Sequence, residues 1–314
     1  MSDKTKQPKP SCVVLGAGGF IGINLWRRLA ADGYQVRGFG RRCEFPDAVK
    51  GLDWFQGDFT DRSNLIEAMK NYDVVFHLVH STTPQAANLN MADDVQRNIV
   101  ASLAMLEVAR ELRVGRVVFV SSGGTVYGRT GQIPTPEIAS TEPITSYGIS
   151  KLAIEKYLGL YEYLHKLDHR VLRVANPYGP FQLPTKNQGV IAVLIAGAIK
   201  GETVEIWGDG SAVRDFVFIE DVVDALIAAV GDSSGHRIFN IGSGRGRSLN
   251  DVIAAIEKCT GQTLKIAWKP ARHVDVPISV VDIARAEEAL RWLPGTTFER
   301  GLEQTIRWWR FGTR

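Results

Sequence analysis

Cys12-Val13-Val14-Leu15-Gly16-Ala17-Gly18-Gly19-Phe20-Ile21-Gly22 is the stretch that decides the fold. Its first four residues form a short apolar run with two β-branched side chains, the mark of a buried strand. The run passes directly into glycines at positions 16, 19 and 22, and the pattern from Phe20 to Ala31 is helical. Gly16 permits a tight turn, Gly19 lets backbone approach a pyrophosphate, and Gly22 lets helix and strand pack closely. The free N–H groups at the helix start, together with its dipole, then face the anion. Glycines at this spacing recur by chance; the strand before and the helix after give them meaning. A dinucleotide-binding unit is expected here.

Outward from this motif, short apolar runs alternate with longer helical patterns, which predicts βαβ units and a parallel sheet. Further strands are expected at Tyr34–Phe39, Asp53–Gln56, Asp73–Leu78, Arg116–Val120 and Arg170–Ala175. Helices are expected at Asp61–Asn71, Ala92–Leu112 and Tyr147–Lys166. Past Pro177 the punctuation loosens. A helix at Val190–Lys200, strands at Phe216–Ile219 and His236–Ile241, and helices at Leu249–Cys259, Val281–Leu290 and Phe298–Trp309 complete the chain. The fold class is α/β, a doubly wound parallel sheet with a smaller, interleaved C-terminal lobe. Residues 11–180, with roughly 216–244, form the dinucleotide domain; 181–215 and 245–314 form the substrate lobe.

Composition excludes several classes. Across 314 residues, 45% are hydrophobic and 23% charged, ample for a globular core. A formal charge of +3 without a dense basic block argues against nucleic acid. The polar start, Met1 to Pro10, does not read as a secretory signal, and the apolar run near Gly189–Ile199 is too short for a membrane span. Cys12, Cys43 and Cys259 are scattered, which suggests neither a disulfide framework nor a zinc site. A cytoplasmic location is expected.

Two further features bear on chemistry. An NAD site usually places a carboxylate on the ribose about 20 residues beyond the glycines. Here Gly40 is followed by Arg41 and Arg42. No carboxylate repels a 2′-phosphate at Gly40, and two guanidiniums can hold one, so NADP is favoured over NAD. Tyr147 and Lys151 stand one helical turn apart, following the fifth strand and its polar cluster. A free phenol, with a pKa of about 10, is a poor base at neutral pH, and a nearby ammonium with an oxidised nicotinamide ring lowers it.

Gly16-x-x-Gly19-x-x-Gly22, Ser121-Ser122-Gly123-Gly124-Thr125-Val126-Tyr127-Gly128 and the Tyr147/Lys151 pair together resemble the extended short-chain dehydrogenase/reductase family. The resemblance, from about Ser11 to Trp309, is to its NAD(P)-dependent sugar epimerase/dehydratase branch, UDP-glucose 4-epimerase-like enzymes in particular. Later segments add to it: Arg173 to Pro180, Gly208-Asp209-Gly210 with Arg214-Asp215-Phe216, and Arg272-His273-Val274-Asp275-Val276. It implies a Rossmann-type domain, bound NAD or NADP and a nucleotide-diphosphate sugar. Tyr147 is then the base and Lys151 its electrostatic partner and ribose ligand, with Asn98 the structural active-site Asn. Gly16, Gly19, Phe20, Ile21, Gly22, Arg41, Arg42, Asp58, Phe59 and Lys151 would contact the cofactor. Asn176, Arg214 and Arg272 would clamp the substrate diphosphate, and Asp275 its ribose. The helices Ala92–Leu112 and Tyr147–Lys166 resemble those that pair into a four-helix homodimer interface.

One position departs from the family. Where a Ser or Thr usually shares the hydroxyl proton with the base, this chain has Gly123. Ser122, Thr125, Thr82, a water or Tyr147 alone are the alternatives, with Thr125 favoured. His77 and His80 lack a third ligand nearby, so no metal is expected. Ser121 and Ser122 lack a nucleophile elbow, which argues against a hydrolase. The expected reaction is 4-epimerisation, an isomerase chemistry of transient hydride transfer from sugar C4 and return to the opposite face. Alternatives are a 4,6-dehydratase, whose relatives carry Thr-Asp-Glu at Gly123-Gly124-Thr125, an NADP-dependent reductase, and a silent NADP-binding sensor.

Overall fold

The computed structural model describes residues 8–184, 189–271 and 276–312. Six strands carry the first half of the chain: β1 (Cys12–Leu15), β2 (Val36–Gly40), β3 (Asp53–Gln56), β4 (Val74–His77), β5 (Arg116–Ser122) and β6 (Asp168–Val174). The second half adds β7 (Asn176–Tyr178), β8 (Thr203–Trp207), β9 (Val213–Phe218), β10 (Ile238–Ile241), β11 (Gly246–Ser248), β12 (Lys265–Lys269) and β13 (Ile278–Ser279). Helices α1 (Phe20–Ala31), α2 (Arg62–Met69), α3 (Pro84–Leu89), α4 (Met91–Asp94), α5 (Ala101–Glu111) and α6 (Ser146–His165) alternate with the early strands. They are followed by α7 (Val190–Lys200), α8 (Ile219–Gly231), α9 (Leu249–Thr260), α10 (Ala284–Leu290) and α11 (Phe298–Phe311).

Strands β10, β6, β5, β4, β1, β2 and β3 lie in that order in one parallel sheet. The order reverses beside β1, where ligand crevices of doubly wound sheets open at the strand C-termini. Both sheet faces are covered, so the strands are apolar throughout and successive residues serve opposite cores. Cys12, Val14, Phe76 and Val118 meet α1 and α8 through Trp26, Leu29, Val222 and Leu226. Val13, Leu15, Val75 and Val117 meet α2, α5 and α6 through Leu65, Met105, Leu106, Ile154 and Leu158. Helix ends follow local chemistry. Asp61 caps α2, Ser248 and Asp251 make a reciprocal capping box on α9, and Gly261 closes α9 at φ +70°.

Beside the large sheet, β9 pairs with β7, β11 and β13, and β8 pairs with β12. The expected strand at Phe216–Ile219 is in fact Val213–Phe218, with Ile219 already in α8. Strands β7, β8, β11, β12 and β13 and helix α3 were not expected. For β8 the signal was present: Thr203 to Trp207 alternates exposed and buried residues. The expected helix Ala92–Leu112 is interrupted by a π-turn at Val95–Val100.

Candidate functional site

The phosphate loop is held by backbone. Gly16 and Ala17 donate N–H to the Phe39 carbonyl at 2.8 and 3.1 Å, which ties the loop to the end of β2. Gly16 adopts φ +91°, a left-handed conformation that glycine accepts without strain. A Cβ on Gly22 would lie 2.2 Å from the Gly16 carbonyl oxygen, so only glycine allows α1 this close. No side chain caps α1 and its first turn carries no acid. Its N-terminal N–H groups and positive dipole end are therefore suited to a pyrophosphate, and the cradle fits a dinucleotide.

At the far end of the crevice, Asp58 accepts from the Thr60 N–H and hydroxyl, both at 2.8 Å. These bonds, with Arg41 nearby, hold its carboxyl below the usual range. Phe59 packs its buried ring onto His77, 5.0 Å between centroids. Arg41 and Arg42 are exposed beside a cavity of about 370 Å³ lined also by Trp26, Trp54 and Gln56. Arg42 pairs with Glu44 at 2.6 Å, a carboxylate that reading Gly40 alone overlooked.

Helix α6 begins at Ser146 under a cap from Thr145, whose hydroxyl accepts from the Gly148 N–H at 3.1 Å. Tyr147 is half-buried in this first turn and Lys151 is fully buried one turn on. The Lys151 ammonium donates to the Val120 carbonyl at 2.8 Å and lies 5.8 Å from the Tyr147 ring centroid. Burial pulls Lys151 down to about 7, against the upward influence of Glu155 and Asp94. Burial and Asp94 push Tyr147 up to about 12. Within the chain alone, then, burial and Asp94 set the phenol, and the lowering expected from the ammonium acting with an oxidised nicotinamide ring depends on that ring.

Asn98 sits in the π-turn, 2% exposed. Its Oδ1 accepts from the Ser81 N–H at 2.8 Å, and its Nδ2 donates to Thr82 Oγ1 at 3.1 Å and to Asp94 at 2.9 Å. It ties the loop after β4 to the helix. Thr82 spends its hydroxyl proton on Asp94. By contrast Thr125 Oγ1 is buried with no hydrogen-bond partner among the described residues. A Cβ on Gly148, next to Tyr147, would lie 2.9 Å from the Thr125 carbonyl, so the two segments touch. Gly123 has a packing reason: a Cβ there would lie 2.9 Å from the Arg173 carbonyl and 3.0 Å from Val281 Cγ1. Ser122, at the end of β5, is partly buried.

Asn176 lies against Gly124 and donates to the Asp215 carbonyl at 3.0 Å. The β7–β9 pairing sets it opposite Phe216, two residues from Arg214, which donates to the Val213 carbonyl at 2.9 Å. Arg272 and Asp275 fall outside the described residues. The sequence reading missed Asp94, which sits one helical turn before Asn98, and the buried pair Arg173–Glu155 at 2.7 Å. Among the described residues no His, Cys, Asp and Glu group is arranged to hold a metal, and no helix is long and apolar enough to cross a membrane.

A glycine-cradled dinucleotide loop and a Tyr/Lys helix, on one doubly wound parallel sheet, define a nicotinamide-dependent enzyme of the extended short-chain dehydrogenase/reductase type. The chain belongs to the NAD dependent epimerase/dehydratase family, whose model matches residues 12–242. It is 35% identical over 307 residues to a UDP-glucose 4-epimerase of Mycolicibacterium smegmatis, covering 95% of this chain and 98% of that one. Among solved structures it resembles UDP-glucose 4-epimerase of Thermotoga maritima with UDP-glucose, at TM-score 0.92 and 32% identity over 97% of this chain and 100% of that one. It also resembles the UDP-glucose 4-epimerase of Thermus thermophilus in complex with NAD, at TM-score 0.91 and 28% identity, covering 96% and 100%.

Proposed function

We propose that this chain is a nucleotide-sugar 4-epimerase acting on UDP-linked hexoses. The observation that carries the reading is half-buried Tyr147 one helical turn from buried Lys151, with the Thr125 segment against the start of their helix and Asn176 adjoining Gly124. Bound nicotinamide supplies reversible hydride acceptance at sugar C4. Tyr147 takes the C4 hydroxyl proton and later returns it, and Lys151 stabilises the phenolate. Below about pH 7 Lys151 keeps its charge, and the positive ring of the oxidised cofactor adds to the lowering the phenol needs. Thr125, its hydroxyl buried and uncommitted, is the group we assign to the C4 oxygen in place of the usual Ser or Thr. Asn176, Arg214 and Arg272 hold the diphosphate and Asp275 the ribose, so the 4-keto sugar can turn while its tail stays fixed.

Residues 11–180 and roughly 216–244 hold the cofactor in this reading; 181–215 and 245–314 hold the nucleotide sugar. Arg41 favours NADP, Arg42 being committed to Glu44. Comparing NAD and NADP affinities in wild type and Arg41→Ala tests this, and an unchanged ratio rejects it. Ile149, Tyr157, Leu160 and Leu164 are exposed along one side of α6, which supports a homodimer through this face. Sedimentation as a monomer at micromolar concentration rejects the dimer. A cytoplasmic location is proposed with it.

Product NMR after incubation with UDP-glucose and UDP-galactose tests the central reading. Interconversion without net change in nicotinamide absorbance is expected, and Tyr147→Phe should lose about 10²–10⁴-fold in kcat without losing its fold. Net cofactor consumption instead identifies a reductase, a 4-keto-6-deoxy product a dehydratase, and binding without turnover a sensor.

A further inference from the structure

Asp94 is completely buried, and among the described residues no lysine or arginine hydrogen-bonds to it. Four neutral side chains converge on it instead. Its Oδ1 accepts from the Thr82 hydroxyl and from Asn98 Nδ2 at 2.9 Å. Its Oδ2 accepts from Ser146 Oγ at 2.9 Å and Ser150 Oγ at 2.6 Å. These donors come from three separate segments: the loop after β4, the π-turn and the first turns of α6. Ser146 directly precedes Tyr147 and Ser150 directly precedes Lys151. His80 closes the remaining side, its Nε2 3.8 Å from Asp94 Oδ1 and its ring edge-on to Tyr147 with centroids 4.4 Å apart. The His80 side chain is 7% exposed, and among the described residues neither ring nitrogen has a hydrogen-bond partner.

A buried carboxylate met only by neutral donors is a costly joint, since an apolar side chain of similar size would escape the desolvation penalty. The charge therefore needs a use besides packing. We infer that Asp94 is the positioning residue of the acid–base site: through Ser146 and Ser150 it fixes Tyr147 relative to Lys151, and through Thr82 and Asn98 it locks the facing loop in register.

The charged and titratable groups that face Tyr147 or its partner Lys151 are Asp94 from α4, His80 from the loop after β4, His77 from β4 and Glu155 from α6. Burial, and then Lys151, hold both histidines neutral, His77 down to about 3 and His80 well below its usual range. Glu155 is matched by Arg173 at 2.7 Å. Among the described residues Asp94 is thus the remaining negative charge, and it raises both Tyr147 and Lys151. Removing it lowers both together, which a purely structural joint would not do.

This inference rests on the reading of Tyr147 as the acid–base group. The test is the pH profile of kcat/KM for UDP-glucose in Asp94→Asn against wild type, with NAD binding followed by fluorescence. NAD affinity should stay within about twofold while kcat falls about 10-fold, and both limbs of the bell should move to lower pH by about 0.5–1 unit. Limbs that stay in place overturn the inference. Should Asp94→Asn not fold, the Ser146→Ala/Ser150→Ala double variant keeps the carboxylate but cuts its ties to α6. Its kcat should fall about 10-fold with KM for UDP-glucose unchanged, and a wild-type kcat rejects the role. Turnover retained by Tyr147→Phe would instead sink the underlying acid–base assignment.

Discussion

Lys151 Nζ donates to the Val120 carbonyl at 2.8 Å, so the ammonium is tied to the strand leading into Ser122 and not to the phenol one turn away on its own helix. It lies 5.8 Å from the Tyr147 ring centroid, and among the described residues no hydrogen bond joins the two side chains. Its charge can also be switched off, because burial sets its ionisation near 7.

The first prediction concerns that switch. The folded-state value for Lys151, about 7, lies below the 10.5 of the free side chain. Between these limits the unfolded chain binds the proton and the folded chain does not, so this group's contribution to stability rises with pH. The rise is at most about 1.4 kcal/mol per pH unit. Below about pH 7 both states are protonated and the burial penalty is present in full. Denaturant unfolding of wild type and Lys151→Met at pH 6.5, 8 and 9.5 should show wild type gaining on the variant as pH rises. A gap independent of pH would show that Lys151 stays charged throughout.

Gly123→Ser should not restore the family's usual hydroxyl. The new Cβ would press on the Arg173 carbonyl at 2.9 Å, and backbone cannot yield as a flexible side chain can. Overpacking of this kind costs about 1–3 kcal/mol. Thermal unfolding should fall accordingly, with kcat no higher than in wild type. An active and fully stable serine variant would refute the packing account of this glycine.

Thr125→Val separates chemistry from structure. Because Thr125 Oγ1 has no hydrogen-bond partner among the described residues, replacing it with a methyl orphans none of them and should leave stability unchanged or raised by up to about 1 kcal/mol. Turnover should drop by about 10-fold or more, with Thr125→Ser retaining most of it. Wild-type kcat in the valine variant would assign the role to Ser122 or to Tyr147 alone.

Under the site, Arg173 holds Glu155 through Nη2 at 2.7 Å, both side chains 2% exposed, and also donates to the Tyr127 hydroxyl at 2.9 Å. Arg173→Met leaves the Glu155 carboxylate buried without its counter-charge and should cost about 3–5 kcal/mol in urea unfolding. Adding Glu155→Met should recover much of that loss. If the double variant is as unstable as the single one, the pair serves packing more than charge balance.

Much of this was legible before any tertiary contact was known. The run from Cys12 to Gly22 specified strand, turn and helix because close approach of α1 to the loop leaves no room for a Cβ at Gly22. The alternation of apolar runs and amphipathic helices predicted the parallel sheet, since strands covered on both faces must be apolar throughout. Tyr147 and Lys151 were singled out because a helix brings residues four apart onto one face and because they follow the fifth strand and its polar cluster. The small strands β7, β11 and β13 escaped because two or three residues carry too little periodicity to read. The π-turn at Val95–Val100 escaped because an extra residue per turn leaves a helical pattern almost intact.

The sequence by itself determined the strands of the sheet and the phosphate cradle, and it singled out the Tyr147/Lys151 pair, because each depends on patterns within short stretches of chain. Only the tertiary structure decided why Gly123 excludes a hydroxyl, which threonine keeps one uncommitted, and that a buried aspartate joins three segments around the phenol. Those relations link residues that lie tens of positions apart in the chain and meet only when the strands are paired. Burial does the rest: within the chain alone it and Asp94 push the Tyr147 phenol up, so the lowering expected of the Tyr/Lys pair depends on the oxidised nicotinamide ring beside it.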